Sequence, residues 1–136
     1  MGVIAREAAD ADIQLDVPHD LHLTSLHEAL DRAIGNILRN AVRYAADSGP
    51  IYIHAAQLDG ATVIGISDQG PGVPVETLPR LFEPFYRPEA ARRRSTGGSG
   101  LGLAITKRCI EACRGTVTAR LREPAGLEIV ISIPTT

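Results

Sequence analysis

Asp31-Arg-Ala-Ile-Gly-Asn36-Ile-Leu-Arg-Asn40-Ala-Val-Arg-Tyr44 is the stretch around which the rest of the chain is arranged. Ile34, Ile37, Leu38, Ala41 and Val42 recur at helical spacing, so one face of a helix packs on a core. Asn36 and Asn40 are four residues apart, which puts both carboxamides on one side of that helix. Asn inside a helix costs about 0.5 kcal/mol relative to Ala. A carboxamide beside an apolar stripe must also find partners or lose its hydration. Two such residues within about a turn point to a surface that meets a ligand. A solvated polar face would show the same spacing, so the rest of the chain has to decide.

The length, 136 residues, corresponds to about one domain. Hydrophobic content of 44% is enough for a core, and a net charge of −2 carries no basic surplus for nucleic acid. No apolar run is long enough to cross a bilayer. The opening Met1-Gly-Val-Ile-Ala-Arg-Glu7 has no apolar segment of a signal peptide. Cys109 and Cys113 are four apart on a helical pattern, far in sequence from His19, His22, His27 and His54. They read as small buried residues, reduced as in a cytosolic domain, and not as a metal pair.

Residues 1–12 read as a lead-in, and 13–136 as the domain. Ile13 to Val17 alternates and reads as a strand ended by Pro18. Thr24 or Ser25 can cap a helix running to about Ala46, with Glu28 three residues after Ser25 as a capping-box partner, and Asp47-Ser-Gly-Pro50 stops it. Ile51–Leu58 and Ala61–Ser67 are two strands joined at Asp59-Gly60, a strong hairpin signal. A short helix is expected at about Val75–Leu81. Another is expected from Gly100 to about Arg114, with Leu101, Ala104, Ile105, Cys109 and Ala112 on one face and Gly115 as its C-cap. Thr116–Arg122 and Leu127–Ile133 are two further strands. The sum is a two-layer α/β sandwich: a mixed, mostly antiparallel sheet of about five strands with three helices on one face.

Three further stretches carry chemistry. Asp68 follows an apolar strand, and an ionised carboxylate is a pure acceptor suited to an exocyclic amine such as that of adenine. Gly70 and Gly72 let the backbone turn sharply close to a flat base, although an ordinary tight turn has the same composition. Gly97-Gly-Ser-Gly-Leu-Gly102 opens a helix, where bare amides approached without Cβ hindrance form an anion site. It is neither a Walker A loop nor a dinucleotide turn, since no Gly-Lys-Ser/Thr follows and no strand precedes it. Arg92-Arg-Arg94 just before it suits a lid over phosphates or a plain basic loop. On the first helix, the Asn40 carbonyl can supply an oxygen to Mg²⁺, Arg43 can reach phosphate, and Tyr44 offers a ring and a hydroxyl.

Together these stretches resemble the catalytic and ATP-binding domain of bacterial sensor histidine kinases, in the wider ATPase group that includes gyrase, the 90 kDa heat-shock protein and the mismatch-repair ATPases. The resemblance runs from about Ile13 to Pro134. Four boxes occur in the family's order: Asn36–Tyr44, Asp68–Gly72, Phe82–Tyr86 and Gly98–Gly102. The wording Phe82-Glu-Pro-Phe-Tyr-Arg87 and Gly97-Gly-Ser-Gly-Leu-Gly-Leu-Ala-Ile105 is most like the membrane-bound, envelope-sensing kinases.

The resemblance implies the Bergerat ATP-binding fold, with ATP and Mg²⁺ as cofactors. It implies that Asn40 holds the metal, Asn36 assists nucleotide and metal, and Arg43 and Tyr44 line the phosphate or adenine side. Asp68 would take the adenine amine in a pocket shaped by Gly70 and Gly72. Phe82 and Phe85 would anchor the lid, with Arg92 and Arg94 over the phosphates. Gly98, Ser99, Gly100, Leu101 and Gly102 would form its hinge and phosphate loop.

In the ATPase and serine-kinase branches the position of Asn36 is typically Glu, a general base. An amide cannot accept a proton at neutral pH. That favours a kinase whose nucleophile and local base come from elsewhere. The family's phosphoacceptor His lies in a helical dimerisation domain, and no such helix pair precedes Ile13. We therefore expect a catalytic domain that binds ATP without phosphorylating itself on His, and no catalytic residue among those here. The expected partners are that dimerisation domain and a response regulator, not nucleic acid. The domain is expected as a monomer, the parent kinase as a homodimer, and its place as the cytoplasmic part of an inner-membrane sensor. The alternative is a non-catalytic ATP/ADP sensor whose lid governs docking.

Overall fold

The computed structural model describes residues 13–16, 27–45, 48–84 and 102–134. The lead-in, the Ser25 capping box and the lid expected between Phe85 and Leu101 lie outside these residues. The elements in chain order are β1 (Ile13–Asp16), α1 (His27–Ala45), β2 (Ile51–Leu58), β3 (Ala61–Ser67), a 3₁₀ helix (Val75–Arg80), α2 (Gly102–Ala112), β4 (Thr116–Leu121) and β5 (Leu127–Pro134). They form one five-stranded sheet in the order β1-β2-β3-β5-β4. β1 pairs parallel with β2, and the other pairs are antiparallel. This is the mixed sheet the sequence pattern predicts.

Register follows from turn chemistry and alternation. Asp59 and Gly60 both take positive φ, at 51° and 78°, the backbone of a two-residue hairpin turn whose twist matches the strands. It sets Leu58 opposite Ala61 and carries the pairing down to Tyr52 opposite Ser67. Successive side chains then face opposite ways. Ile53, Ile66 and Ile129 line up across three strands, as do Ala55, Ile64 and Ile131, and all six are buried. Against this row pack Ala33, Ile37, Leu38 and Ala41 of α1 and Ile110 of α2. Burying one such aliphatic side chain contributes about 1.5–3 kcal/mol, so this layer dominates the stability of the fold. The other sheet face carries Tyr52, His54, Ser67, Arg120 and Glu128.

Two details of α2 differ from the sequence reading. Its buried residues are Ala104, Thr106 and Ile110, with Leu103 and Cys109 packed on the core and Cys113 buried just beyond it. Ile105 is 37% exposed and Ala112 is exposed, so the inward stripe is rotated from the one expected. The reason is Thr106. Its hydroxyl lies 3.0 Å from the Gly102 carbonyl and 3.4 Å from the Ala33 carbonyl of α1. A hydroxyl whose proton has partners can sit inside, and it displaces Ile105 outward.

The C-cap also differs. Arg114, not Gly115, takes the left-handed conformation, with φ 62°. Gly115 N–H donates to Ile110 O and Arg114 N–H to Glu111 O, both at 2.9 Å, which is the Schellman pattern. Gly115 is needed for space instead, because a Cβ there would lie 2.6 Å from the Ser132 carbonyl.

Candidate nucleotide-binding site

Asn36, Asn40 and Arg43 follow one another along α1 at the border between its buried and solvent faces. Both asparagines are half-buried and Arg43 is exposed. Arg39 Nη2 donates to Asn36 Oδ1 at 2.5 Å. Since a guanidinium has no acceptor, this contact fixes which end of the amide is oxygen. Asn36 Nδ2 is buried and makes no hydrogen bond among the described residues. A buried amide without a partner costs about 1–3 kcal/mol, so Asn36 holds an unused donor. Tyr44 lies in the last turn of α1, and its side chain is outside the described residues.

Asp68 stands where β3 ends and is only 9% exposed. Its Oδ1 accepts from Gly70 N–H at 2.9 Å and from Leu127 N–H at 3.1 Å. The first is an Asx turn that reverses the chain. The second ties the carboxyl to β5. Oδ2 accepts no hydrogen bond among the described residues. Burial raises the carboxyl pKa above its ordinary value, and the two amides and the Arg122 charge act against it. Gly72 has φ 70°, as the glycine turn requires. Gln69 Nε2 donates to Pro50 O at 3.1 Å and anchors that turn to the start of β2.

Phe82 is half-buried and packs on the core. Gly102 is the first residue of α2, exposed, with open space around its α-carbon. Phe85, Arg92, Arg94, Gly98, Ser99, Gly100 and Leu101 lie outside the described residues.

The structure adds residues the sequence reading did not single out. The turn between β4 and β5 presses on Asp68 from behind. A Cβ at Gly126 would fall 2.0 Å from the Asp68 carbonyl oxygen, and Arg122 Nη1 donates to that same oxygen at 3.3 Å. One strand pair over, Glu128 Oε2 accepts from Ser67 Oγ at 2.7 Å and lies 3.0 Å from His54 Nε2, and Oε1 accepts from Arg120 Nε at 2.5 Å. The signal for the last pair was present: Arg120 and Glu128 are equidistant from Pro124 in a hairpin. The signal for Arg122 was not, because a turn arginine says nothing of where it reaches.

The family described as Histidine kinase-, DNA gyrase B-, and HSP90-like ATPase matches residues 26–136. The chain belongs to this family. Within this ATPase family its relatives are sensor kinases. The sensor histidine kinase CpxA of Escherichia coli K12 is 43% identical over 106 residues, covering 78% of this chain and 23% of CpxA. The signal transduction histidine-protein kinase BaeS of the same strain is 35% identical over 122 residues, covering 90% of this chain and 26% of BaeS. Among solved structures, a mycobacterial sensor histidine kinase, MprB, superposes with a TM-score of 0.84 at 30% identity, covering 98% of this chain and 88% of that one. The chain spans about a quarter of the length of these curated relatives. It corresponds to the ATP-binding catalytic domain of two-component sensor histidine kinases, and its architecture is theirs.

Proposed function

We propose that this domain binds ATP as its magnesium complex and presents the γ-phosphate to a histidine on a separate dimerisation domain of a longer kinase. The observation that carries this reading is Asn36. Its oxygen is engaged by Arg39 and its buried NH₂ has no partner among the described residues. The position therefore offers a donor to a phosphate oxygen and no base to activate water. The imidazole nitrogen would attack the γ-phosphorus as the bond to the β–γ bridging oxygen breaks, with ADP leaving. The domain's contribution is positioning and charge neutralisation.

Asp68 Oδ2 would accept the adenine amine, with Gly70 and Gly72 bringing the backbone close to the base. Phosphate would be met by Arg43, Arg92, Arg94 and the loop Gly98, Ser99, Gly100, Leu101 and Gly102, with Phe82 and Phe85 seating the lid and Tyr44 lining the pocket. Among the described residues no three His, Cys, Asp or Glu side chains cluster as a metal cage. The donor set suits Mg²⁺ held through the Asn40 carbonyl, the nucleotide's own phosphates and water. When bound, Mg²⁺ would neutralise phosphate charge.

Among the described residues no helix is long and apolar enough to cross a membrane. We place the domain on the cytoplasmic side of a membrane-anchored homodimeric sensor, with the isolated domain a monomer and a response regulator receiving the phosphate. The test is transfer of labelled phosphate from ATP to a separately supplied phosphoacceptor domain. Transfer is expected to be slow, because the tether that raises effective concentration is missing, and to vanish in Asn40→Ala. No transfer at high concentrations of both domains would contradict the reading.

A further inference from the structure

The outer face of the sheet, opposite the helices, holds a group that reaches the nucleotide site from behind. Arg122 leaves β4 at the start of the β4–β5 turn. Its main-chain N–H donates to Gly126 O at 2.9 Å and closes that turn. Its guanidinium lies 5.4 Å from the centre of the Tyr52 ring, within the range of a cation–π contact. Nη1 donates to the Asp68 carbonyl. Tyr52 is itself paired with Ser67, the residue before Asp68. Three strand ends therefore meet at this guanidinium, and the absence of a side chain at Gly126 lets the turn lie against Asp68.

We propose that Arg122, stacked on Tyr52, is a positioning residue for base recognition that holds Asp68 from the outer face so that its free carboxylate oxygen stays aimed at the nucleobase. Arg122 touches no nucleotide. This rests on the reading of Asp68 as the acceptor of the adenine amine. Of the other charges nearby, Glu128 is engaged by Arg120 and His54, while Asp16 on β1, beside His54 in the register, and Glu123 of the turn are exposed to solvent. Arg122 is thus the side-chain charge acting on Asp68, and the remaining favourable contacts are main-chain amides that substitution cannot remove.

The experiment is calorimetric titration of the domain with ATP and with inosine triphosphate, which carries a carbonyl in place of the amine, from pH 5 to 8. The variants are Arg122→Leu, Arg122→Lys, Tyr52→Leu and Asp68→Ala. Arg122→Leu is expected to weaken ATP binding about three- to tenfold, to narrow the preference for ATP over the inosine nucleotide, and to move the acid limb of binding to higher pH. Arg122→Lys should restore the acid limb, and Tyr52→Leu should act in the same direction as Arg122→Leu. A merely structural defect would lower the folded fraction without changing base preference or the acid limb. Should Arg122→Leu fail to fold, Tyr52→Leu and Arg122→Lys decide the matter by the same readouts. If Asp68→Ala loses base preference while the Arg122 and Tyr52 variants keep both preference and acid limb, the proposal is overturned. If Asp68→Ala itself keeps base preference, the underlying reading of Asp68 fails instead.

Discussion

Asp68, just past the end of β3, and Glu128 of the adjacent β5 are buried carboxyls, 9% and 8% exposed, yet their surroundings act in opposite directions. Burial would push the Glu128 pKa up, but hydrogen bonds from His54, Ser67 and Arg120, with the Arg120 charge, outweigh it and hold it at about 2. A carboxyl lowered on folding contributes stability that is present above its unfolded value, near 4.5, and is lost as pH falls toward about 2. Glu128→Gln should therefore cost about 1–3 kcal/mol at pH 7, with the gap to the unaltered protein closing across that acid window in denaturant titrations. Asp68 is the reverse case. Its pKa is raised by burial, so its ionised form weakens the fold as pH rises past the ordinary carboxylate range. Asp68→Asn keeps an oxygen for the two amides and removes the buried charge. Thermal unfolding of Asp68→Asn at pH 7 is expected at a higher temperature than for the unaltered protein. A binding site held at a cost to stability behaves this way.

At the scale of elements, local chemistry was legible where it acts alone. Asp59-Gly60 fixed a hairpin because two consecutive positive-φ residues leave few other conformations, and β2 and β3 have the bounds read from sequence. The face of α2 was not legible, because its rotation depends on Thr106 finding a carbonyl on α1, a contact between residues 73 apart. The cap of α2 was misplaced for a similar reason: Gly115 is demanded by β5, which leaves Arg114 in the left-handed conformation. An L-residue there is strained by about 1–2 kcal/mol, so Arg114→Gly should raise stability by roughly 0.5–1 kcal/mol, measured by denaturant midpoint. Thr62 of β3 is fully buried and its hydroxyl has no partner among the described residues. Thr62→Val removes that unsatisfied group with little change of shape and should stabilise by about 1 kcal/mol. Loss of stability on this substitution would show that the hydroxyl is satisfied after all.

For the whole molecule, the architecture followed from alternation, turn residues and the ordered boxes. The candidate site was legible only as motifs. Asn36, Asn40, Asp68 and the glycine turn are carried by short motifs, with Asn36 and Asn40 half-buried along α1 and Asp68 buried just past the end of β3. Arg122, Gly126 and the Leu127 amide escaped notice because they lie more than fifty residues from Asp68 and meet it only once the sheet closes. The central claim is that this surface is an ATP·Mg²⁺ site. Its most direct test is calorimetric titration of the domain with ATP, with and without Mg²⁺, beside Asn40→Ala and Asp68→Ala. The domain is expected to bind ATP in a way that Mg²⁺ strengthens, that Asn40→Ala makes insensitive to the metal, and that Asp68→Ala weakens at least tenfold, about 1.4 kcal/mol. Absence of binding to the unaltered domain, or binding unchanged in both variants, would contradict it.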